Sequence, residues 1–349
     1  MKLFIIFIIA SFCGASYCQY DNGFFTWLNY LRRGYNPYAY LESSGSADCP
    51  LECHCPSNFP TAMYCDSRKL KHIPYVPSRM KYVYFQNNQI ASIQNGVFDN
   101  ATGLIWIILH NNNLTSEQID SKVFSKLKNL ERLYLHHNKL TKIPTALPRS
   151  LKELQLSSNY LSSIPADGLE GLDNLTALYL NDNQLKDVGG ALRGLSSLAL
   201  LDLSNNKLKK LPENLPNSLN QLYLESNHVN TIPDEYFSKF LRLRYVRLSK
   251  NDLTDAGIPS NTFNSSSLIE LDLSYNKLQK IPPVNPNLEN LYLHANRIKE
   301  FSLTSFCKVI DIMNFSRIRV LRLDGNEIRQ DTIPAEAPLC LRRAAIIDI

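Results

Sequence analysis

Residues 80–90 read Met80-Lys81-Tyr82-Val83-Tyr84-Phe85-Gln86-Asn87-Asn88-Gln89-Ile90, an instance of the pattern L-x-x-L-x-L-x-x-N-x-L with other apolar residues in some leucine positions. The pattern occurs eleven times, and its last copy is residues 318–328. Neighbouring copies are 20 to 30 residues apart, which is the period of a structural repeat. The asparagines of the copies are Asn88, Asn112, Asn138, Asn159, Asn183, Asn206, Asn227, Asn251, Asn276, Asn296 and Asn326.

These repeats predict an α/β-type leucine-rich-repeat solenoid. Alternate leucines of each unit point to one side of a short strand, and a single unit cannot bury that side without neighbours on which to stack. Each asparagine follows the strand, where its amide can bond to backbone groups of its own and adjacent turns. We therefore expect a curved parallel β-sheet on the concave face. Proline pairs such as Pro144 with Pro148 favour short extended or 3-10 segments on the convex face.

Composition narrows the functional classes. The chain has 349 residues, of which 44% are hydrophobic and 20% charged, so it has enough apolar surface to build a core. A net charge of +5 spread over this length is too weak to predict nucleic-acid binding. Beyond the N-terminus no stretch approaches the ~18 apolar residues of a membrane span, so we expect no membrane insertion.

The first residues predict a secretory signal peptide at 1–18. Lys2 precedes a short apolar run, and small residues follow around Gly14. Cleavage after Cys18 removes Cys13 and Cys18 together and leaves six cysteines, an even number that suits an oxidising compartment. Cleavage after Ala15 or Ser16 would leave an odd thiol, so the later position is favoured. We expect a secreted protein of the extracellular matrix.

Residues 19–48 lie outside the repeat and have no usable period, which predicts a flexible arm. The arm contains several tyrosines among Gly, Ser and Asn. Tyr20 lies beside Asp21, and Tyr38 and Tyr40 lie near Glu42, which makes these three tyrosines candidates for sulfation. The alternative is a set of unmodified aromatic side chains.

Cysteines flank the array at both ends. Cys49, Cys53, Cys55 and Cys65 precede it, which indicates an N-terminal cap at residues 49–79. A zinc site with His54 as an extra ligand is the rival interpretation, but secretion favours disulfides, of which three connectivities remain open. Cys307 and Cys340 bracket the final repeat, so residues 80–306 form the repeats and 307–349 the last repeat with its disulfide cap. We expect no bound metal and no cofactor.

The numbering of positions within each repeat also indicates candidate binding residues, and the sequence contains candidate modification sites. The third and fifth residues of each unit point away from the core, and many are aromatic or charged, such as Tyr82, Trp106, Arg132 and Arg247. Such a series on a rigid sheet indicates a protein-binding surface. Five Asn-x-Ser/Thr sequons are candidate glycosylation sites of a secreted chain. They begin at Asn100, Asn113, Asn174, Asn264 and Asn314.

Catalysis has little support in the sequence. His110, His136 and His294 share the seventh position of different repeats, which predicts exposed loop histidines. No motif places a nucleophile beside a base, and none forms a phosphate loop. We therefore predict that the protein is not an enzyme.

The cysteine spacing of the cap, the eleven repeats, the 30-residue step between Asn296 and Asn326 and the Cys307/Cys340 pair resemble the class II small leucine-rich proteoglycans. The resemblance covers residue 49 to the end. It implies cap disulfides that join Cys49 to Cys55 and Cys53 to Cys65. It also implies keratan sulfate on some sequons.

The function implied by this resemblance is binding of fibrillar collagen, types I and II, and control of fibril assembly and growth. The resemblance places a collagen contact at Glu327 and Arg329, which flank Ile328 and so point outward together. The growth factor transforming growth factor β is a further partner of the family. The alternative function is a soluble receptor-like or adhesion module of the same fold that binds a protein ligand such as a growth factor, because fold alone does not separate the two.

Overall fold

The protein's structure is a computed structural model that describes residues 47–311 and 313–349. In this part of the chain thirteen strands of three residues each form one parallel sheet in strict sequence order. Equivalent positions of neighbouring repeats pair, for example Leu133 with Leu154. The predicted leucine-rich-repeat solenoid is confirmed. The strands are β1 Ala62–Tyr64, β2 Tyr82–Tyr84, β3 Trp106–Ile108, β4 Arg132–Tyr134, β5 Glu153–Gln155, β6 Ala177–Tyr179, β7 Leu200–Asp202, β8 Gln221–Tyr223, β9 Tyr245–Arg247, β10 Glu270–Asp272, β11 Asn290–Tyr292, β12 Val320–Arg322 and β13 Ile346–Asp348.

Helical structure in the described residues is short. The 3-10 segments are Ser116–Gln118, Asp255–Gly257, Leu303–Ser305 and Gln330–Thr332, and one α-helical turn, α1, covers Ala337–Cys340. Apolar side chains from successive repeats fill the space behind the sheet in one continuous core. No helix in the described part of the chain has the length and apolar content to cross a membrane.

The repeat asparagines connect each turn to the one before it. Asn206 shows the pattern: its side-chain amide donates to the carbonyls of Leu180 and Leu203 at 3.0 Å, and its oxygen accepts the Leu185 N–H at 2.9 Å. Asn206 is only 6% exposed. Loss of such an amide would leave several buried backbone groups unpaired, at about 1–3 kcal/mol for each group.

The residue just before each asparagine takes a left-handed backbone. In ten repeats this eighth position is not glycine, yet φ lies between 51° for Asn205 and 59° for Asn87. Only Gly325, in the last repeat, is a glycine with φ of 70°. Four of the ten are Asn or Asp, which tolerate left-handed φ, but residues such as Tyr275 and Ala295 do not favour it, so in those repeats the ladder of hydrogen bonds must hold the turn.

Both caps contain disulfides. Cys49 is bonded to Cys55 and Cys53 to Cys65, the pairs that the resemblance implies. Residues 62–64 form β1, which pairs with β2 and so continues the sheet into the cap. At the other end Cys307 is bonded to Cys340. The tail, residues 346–348, forms β13 beside β12 and extends the sheet by one strand beyond the eleven repeats.

Candidate functional site

The concave face presents the first and last residue of each strand. In most strands the middle residue is buried while its two neighbours are half-buried, as the period of a strand requires. The composition of this face changes along the sheet. We call the part from β1 to β4 the aromatic region and the part from β7 to β10 the carboxylate region.

Stacked rings form the aromatic region. Tyr64 and Tyr84 lie parallel, with ring centroids 4.7 Å apart, and Tyr82 meets the edge of Trp106 at 5.1 Å. The guanidinium of Arg132 lies 4.5 Å from the Trp106 ring centroid, a cation–π contact. Neighbouring repeats therefore place their aromatic side chains in continuous contact along the sheet.

The tyrosines of this region are neutral hydrogen-bonding groups. Burial, followed by the charges of Tyr64 and Tyr82, raises the pKa of Tyr84 to about 12. Burial and then Glu153 raise the pKa of Tyr134 above its ordinary value. The region can thus offer an apolar surface with phenol donors to a partner, a combination that is common in protein interfaces.

The three seventh-position histidines are not exposed, so that prediction is wrong. His110, His136 and His294 are all half-buried. His110 and His136 stack on each other with ring centroids 4.2 Å apart, because the parallel register places their repeats side by side. Burial and the nearby His110 lower the pKa of His136 to about 3, so its ring is neutral at neutral pH.

Arg247 is the centre of the carboxylate region. Its Nε lies 2.9 Å from Oε1 of Glu270, and its Nη1 lies 3.9 Å from Oε1 of Glu225. Its guanidinium carbon also lies 4.8 Å from the ring centroid of Tyr223. Burial alone would lower the pKa of Arg247, but Glu270, Tyr223 and Glu225 raise it above its ordinary value.

A second set of contacts connects the carboxylates to each other. Ser204 Oγ lies 2.5 Å from Asp202 Oδ1 and 2.9 Å from Glu225 Oε2. Asp202 is only 2% exposed. Burial raises its pKa, although the hydrogen bonds from Ser204 act in the opposite direction. Burial likewise raises the pKa of Glu225 to about 7. One arginine thus balances several carboxylates that are partly withdrawn from water.

Glu327 and Arg329 lie at the lateral edge of the sheet, beyond the asparagine ladder. Both side chains are exposed, but they bind different partners. The Nζ of Lys299 lies 3.9 Å from Oε2 of Glu327. Arg329 makes a forked contact with Asp331, at 3.0 Å from Nε and 2.6 Å from Nη2. Neither Lys299 nor Asp331 was predicted from the sequence, although Asp331 lies only two residues after Arg329.

The five sequon asparagines are accessible to different degrees. Asn113 is half-buried, and the other four are exposed. Three of the exposed amides already bond to protein groups: Asn174 donates to the carbonyl of Arg149 at 3.0 Å, Asn314 donates to Asp311 at 2.7 Å, and Asn264 accepts from the Asn285 amide at 3.1 Å. The candidate sulfation sites Tyr20, Tyr38 and Tyr40 lie outside the described residues.

The arrangement is suited to binding. Among the described residues no group of three or more His, Cys, Asp or Glu side chains is placed to hold a metal ion. What the face offers is a rigid array of rings, phenols and fixed charges, and such a surface recognises a macromolecule.

Comparison with known proteins supports this description. Three family models match the chain: the leucine-rich-repeat N-terminal domain at residues 48–77, the leucine-rich repeat at 78–140 and 149–208, and the BspA-type leucine-rich repeat region at 213–324. Bovine fibromodulin is 58% identical, and human fibromodulin 57%, with 99% of both chains covered in each case. The chain belongs to the fibromodulin family of small leucine-rich proteoglycans.

More distant relatives keep the same architecture. Lumican of Coturnix japonica is 48% identical over all of this chain and 98% of its own. A chain in the solved octameric complex of Latrophilin 3, Unc5D and FLRT2 is 27% identical, with a TM-score of 0.67 over 86% of this chain and 83% of that one. Proteins of the fibromodulin family are structural proteoglycans of the extracellular matrix and not enzymes, which confirms the prediction on catalysis.

Proposed function

We propose that this fibromodulin-family protein is secreted, binds fibrillar collagen of types I and II and limits the lateral growth of fibrils. The observation that carries the proposal is the exposed pair Glu327 and Arg329 at the lateral edge of the final repeat, in a chain of this family. Collagen triple helices present charged side chains of both signs, and an acid beside a base can pair with both. A protein bound there would occupy sites at which further collagen molecules add.

The sheet lowers the cost of this binding. Each repeat is connected to the next through buried hydrogen bonds, so a long surface is already ordered before the partner arrives. Arg329 must exchange Asp331 for a collagen carboxylate, since the forked contact occupies its guanidinium. Asp331 would therefore weaken the contact in the wild-type protein.

The test is solid-phase binding to type I collagen with Glu327→Ala/Arg329→Ala. We expect affinity to fall about tenfold, the effect of two lost charge-assisted contacts, with an unchanged thermal melt. The matched control is Asp252→Ala/Lys277→Ala, which removes an acid–base pair with a 2.6 Å contact from the same edge, three and two repeats before the final one. Unchanged affinity in the first variant, or an equal loss in the control, would place the contact elsewhere.

A single substitution tests the competition with Asp331. Asp331→Asn keeps the size of the side chain but removes the charge that holds Arg329. We expect tighter collagen binding by a few-fold, because the guanidinium is then available to the partner. Weaker binding would mean that Asp331 itself contacts collagen or positions the arginine.

We also propose that sequons Asn100, Asn113, Asn174, Asn264 and Asn314 carry N-glycans, some extended as keratan sulfate, and that Tyr20, Tyr38 and Tyr40 are sulfated after cleavage at residue 18. Family membership supports these modifications. Exposure of four sequons gives a transferase access, and half-buried Asn113 should be the least occupied. Glycopeptide mapping before and after keratanase reads occupancy at each site. A sharp band insensitive to keratanase and peptide N-glycosidase would exclude these glycans.

An adhesion module that binds a protein ligand is the second candidate. The related chain of known structure belongs to a complex with Latrophilin 3 and Unc5D, and the aromatic region here offers an apolar surface with phenol donors for a protein ligand. Transforming growth factor β is the growth factor to test first. Surface plasmon resonance with Trp106→Ala would separate the two functions, because a ligand of the aromatic region loses affinity while collagen binding at Glu327 is retained.

A further inference from the structure

Two arginines share one aromatic ring at the C-terminal cap. The guanidinium carbon of Arg342 lies 3.6 Å from the ring centroid of Phe315, and that of Arg343 lies 5.3 Å from the same centroid. Both follow α1, which ends at Cys340, after one intervening residue, Leu341, and the disulfide to Cys307 fixes that helical turn. The contact therefore holds two like charges close together on a tethered part of the chain.

A third arginine joins this pair through backbone pairing. The Ser316 N–H donates to the Cys340 carbonyl at 2.9 Å, and the Ala345 N–H donates to the Arg319 carbonyl at 2.9 Å. Segments 316–319 and 340–345 therefore lie side by side, so the backbone of Arg317 runs beside the segment that carries the two stacked arginines. All three side chains are exposed. We name Arg317, Arg342 and Arg343 the arginine cluster.

Among the described residues, no acidic side chain forms an ion pair with the arginine cluster. The neighbouring Arg319, by contrast, is bound to Glu289 at 3.3 Å. Cation–π contact with Phe315 offsets part of the mutual repulsion. A bound anion would offset the remaining repulsion, and it would accept hydrogen bonds from guanidinium groups that are already in place.

We propose that the arginine cluster binds sulfate groups of a linear sulfated polysaccharide. Guanidinium groups bind the paired oxygens of oxyanions in a forked geometry, and consecutive sulfates along a chain match several arginines in one patch. Two guanidiniums already lie over the Phe315 ring, so what the cluster offers a ligand is mainly positive charge and hydrogen-bond donors. A proteoglycan of the extracellular matrix meets such polysaccharides where it acts.

The test is binding to immobilised heparin, used as the sulfated probe, over a series of salt concentrations. We expect Arg342→Ala/Arg343→Ala to weaken binding about tenfold at low salt and to reduce the salt dependence. The matched control is Lys209→Ala/Lys210→Ala, which removes the same charge from exposed lysines that take part in none of the described ion pairs. We expect less than about a twofold change there. An equal loss in both variants would mean that total charge decides the binding, and the proposal would fail.

Two further variants separate folding from recognition. Arg317→Ala leaves the stack on Phe315 in place and should still weaken heparin binding by a few-fold. Arg342→Lys/Arg343→Lys keeps the charge without the fork and should bind between wild type and the alanine variant. A thermal melt of each variant checks the cap. Wild-type affinity in Arg317→Ala and in the double alanine variant would overturn the proposal.

Two controls of the ligand complete the design. Polyglutamate that displaces heparin at equal charge concentration would assign the cluster to acidic peptides and contradict a sulfate site. The measurement is repeated after peptide N-glycosidase, because Asn314 is adjacent to Phe315. Heparin binding that is present before and after the enzyme supports the proposal. Binding found only after it would show that the protein's own glycan occupies the cluster.

Discussion

The aromatic and carboxylate regions have the same backbone and different chemistry. Both consist of three-residue strands in identical parallel register, yet the first presents Trp106 and stacked tyrosines while the second presents Arg247 among carboxylates. In the aromatic region, rings from adjacent repeats pack on one another. In the carboxylate region, side chains of opposite charge from adjacent repeats form ion pairs. A repeat scaffold thus fixes where side chains stand and leaves the type of surface to single positions.

Stability should also respond to pH with opposite sign at the two regions, through His136 next to the aromatic region and Glu225 in the carboxylate region. His136, with its pKa lowered to about 3, binds a proton more readily when the chain is unfolded, so its contribution to stability is complete at neutral pH and is lost as pH falls. Glu225, with its pKa raised to about 7, binds a proton more readily in the folded protein. Its contribution is complete at low pH and is lost as pH rises.

Arg247→Ala should have the largest effect, since it removes the cation of the carboxylate region. Glu225 and Glu270, both partly buried, would then face each other without compensation. We expect the free energy of unfolding to fall by about 2–3 kcal/mol at pH 8, and by less at pH 5 where Glu225 is protonated. Chemical denaturation at both pH values measures this. Equal losses at the two pH values would mean that lost packing on Tyr223 is the cause.

Trp106→Ala should break the aromatic region with a smaller effect. The substitution removes the edge contact with Tyr82 and the cation–π contact with Arg132. Because the indole is already half-exposed, we expect a loss of about 1–2 kcal/mol that does not vary between pH 6 and pH 8. Denaturation in urea at these two pH values is the measurement. A pH-dependent loss would show that the two regions are coupled.

Glu225→Gln should sharpen the contrast, because glutamine keeps the shape and cannot ionise. Wild-type stability should decline from about pH 4.5 to about pH 7, as the unfolded and then the folded carboxyl ionises. The variant should lack this part of the decline and be more stable at pH 8 by about 1 kcal/mol, after allowance for solvent around the side chain. A variant less stable than wild type at pH 8 would show that the attraction between the ionised carboxylate and Arg247 exceeds the free-energy cost of burying that carboxylate.

His136→Asn should have the smallest effect, with a wild-type melting temperature at pH 7. Between about pH 6.5 and pH 3 the wild-type protein should lose stability as the unfolded imidazole takes up a proton, and the variant should lose less. His137→Asn is the matched control, since His137 is exposed and its φ of 52° suits asparagine. Identical acid melts for wild type and His136→Asn would contradict the burial of this ring.

Much of the fold was predictable from the pattern because the information is local. The leucine positions predicted the strands, and the asparagines predicted the ladder of hydrogen bonds, since both recur at fixed offsets within each unit. The candidate site was less predictable. The His110–His136 stack joins residues of different repeats, and the histidines were expected to be exposed. The partner of Arg329 was missed as well, although Asp331 is only two residues away. The sequence is equally compatible with a guanidinium that turns toward Asp331 and with one that points into solvent.

The repeated pattern was enough to predict a stack of parallel strands with a buried asparagine after each, because units of this kind bury their leucines by stacking on one another. Other features depend on the folded solenoid and are absent from the pattern. Residues 346–348 carry no copy of the motif, yet they form β13 because β12 leaves its backbone groups open to them. Arg247 and Glu270 meet across 23 residues of chain because stacking, not sequence proximity, makes them neighbours. Contacts between repeats depend on register and side-chain direction, and both exist only once the solenoid has formed.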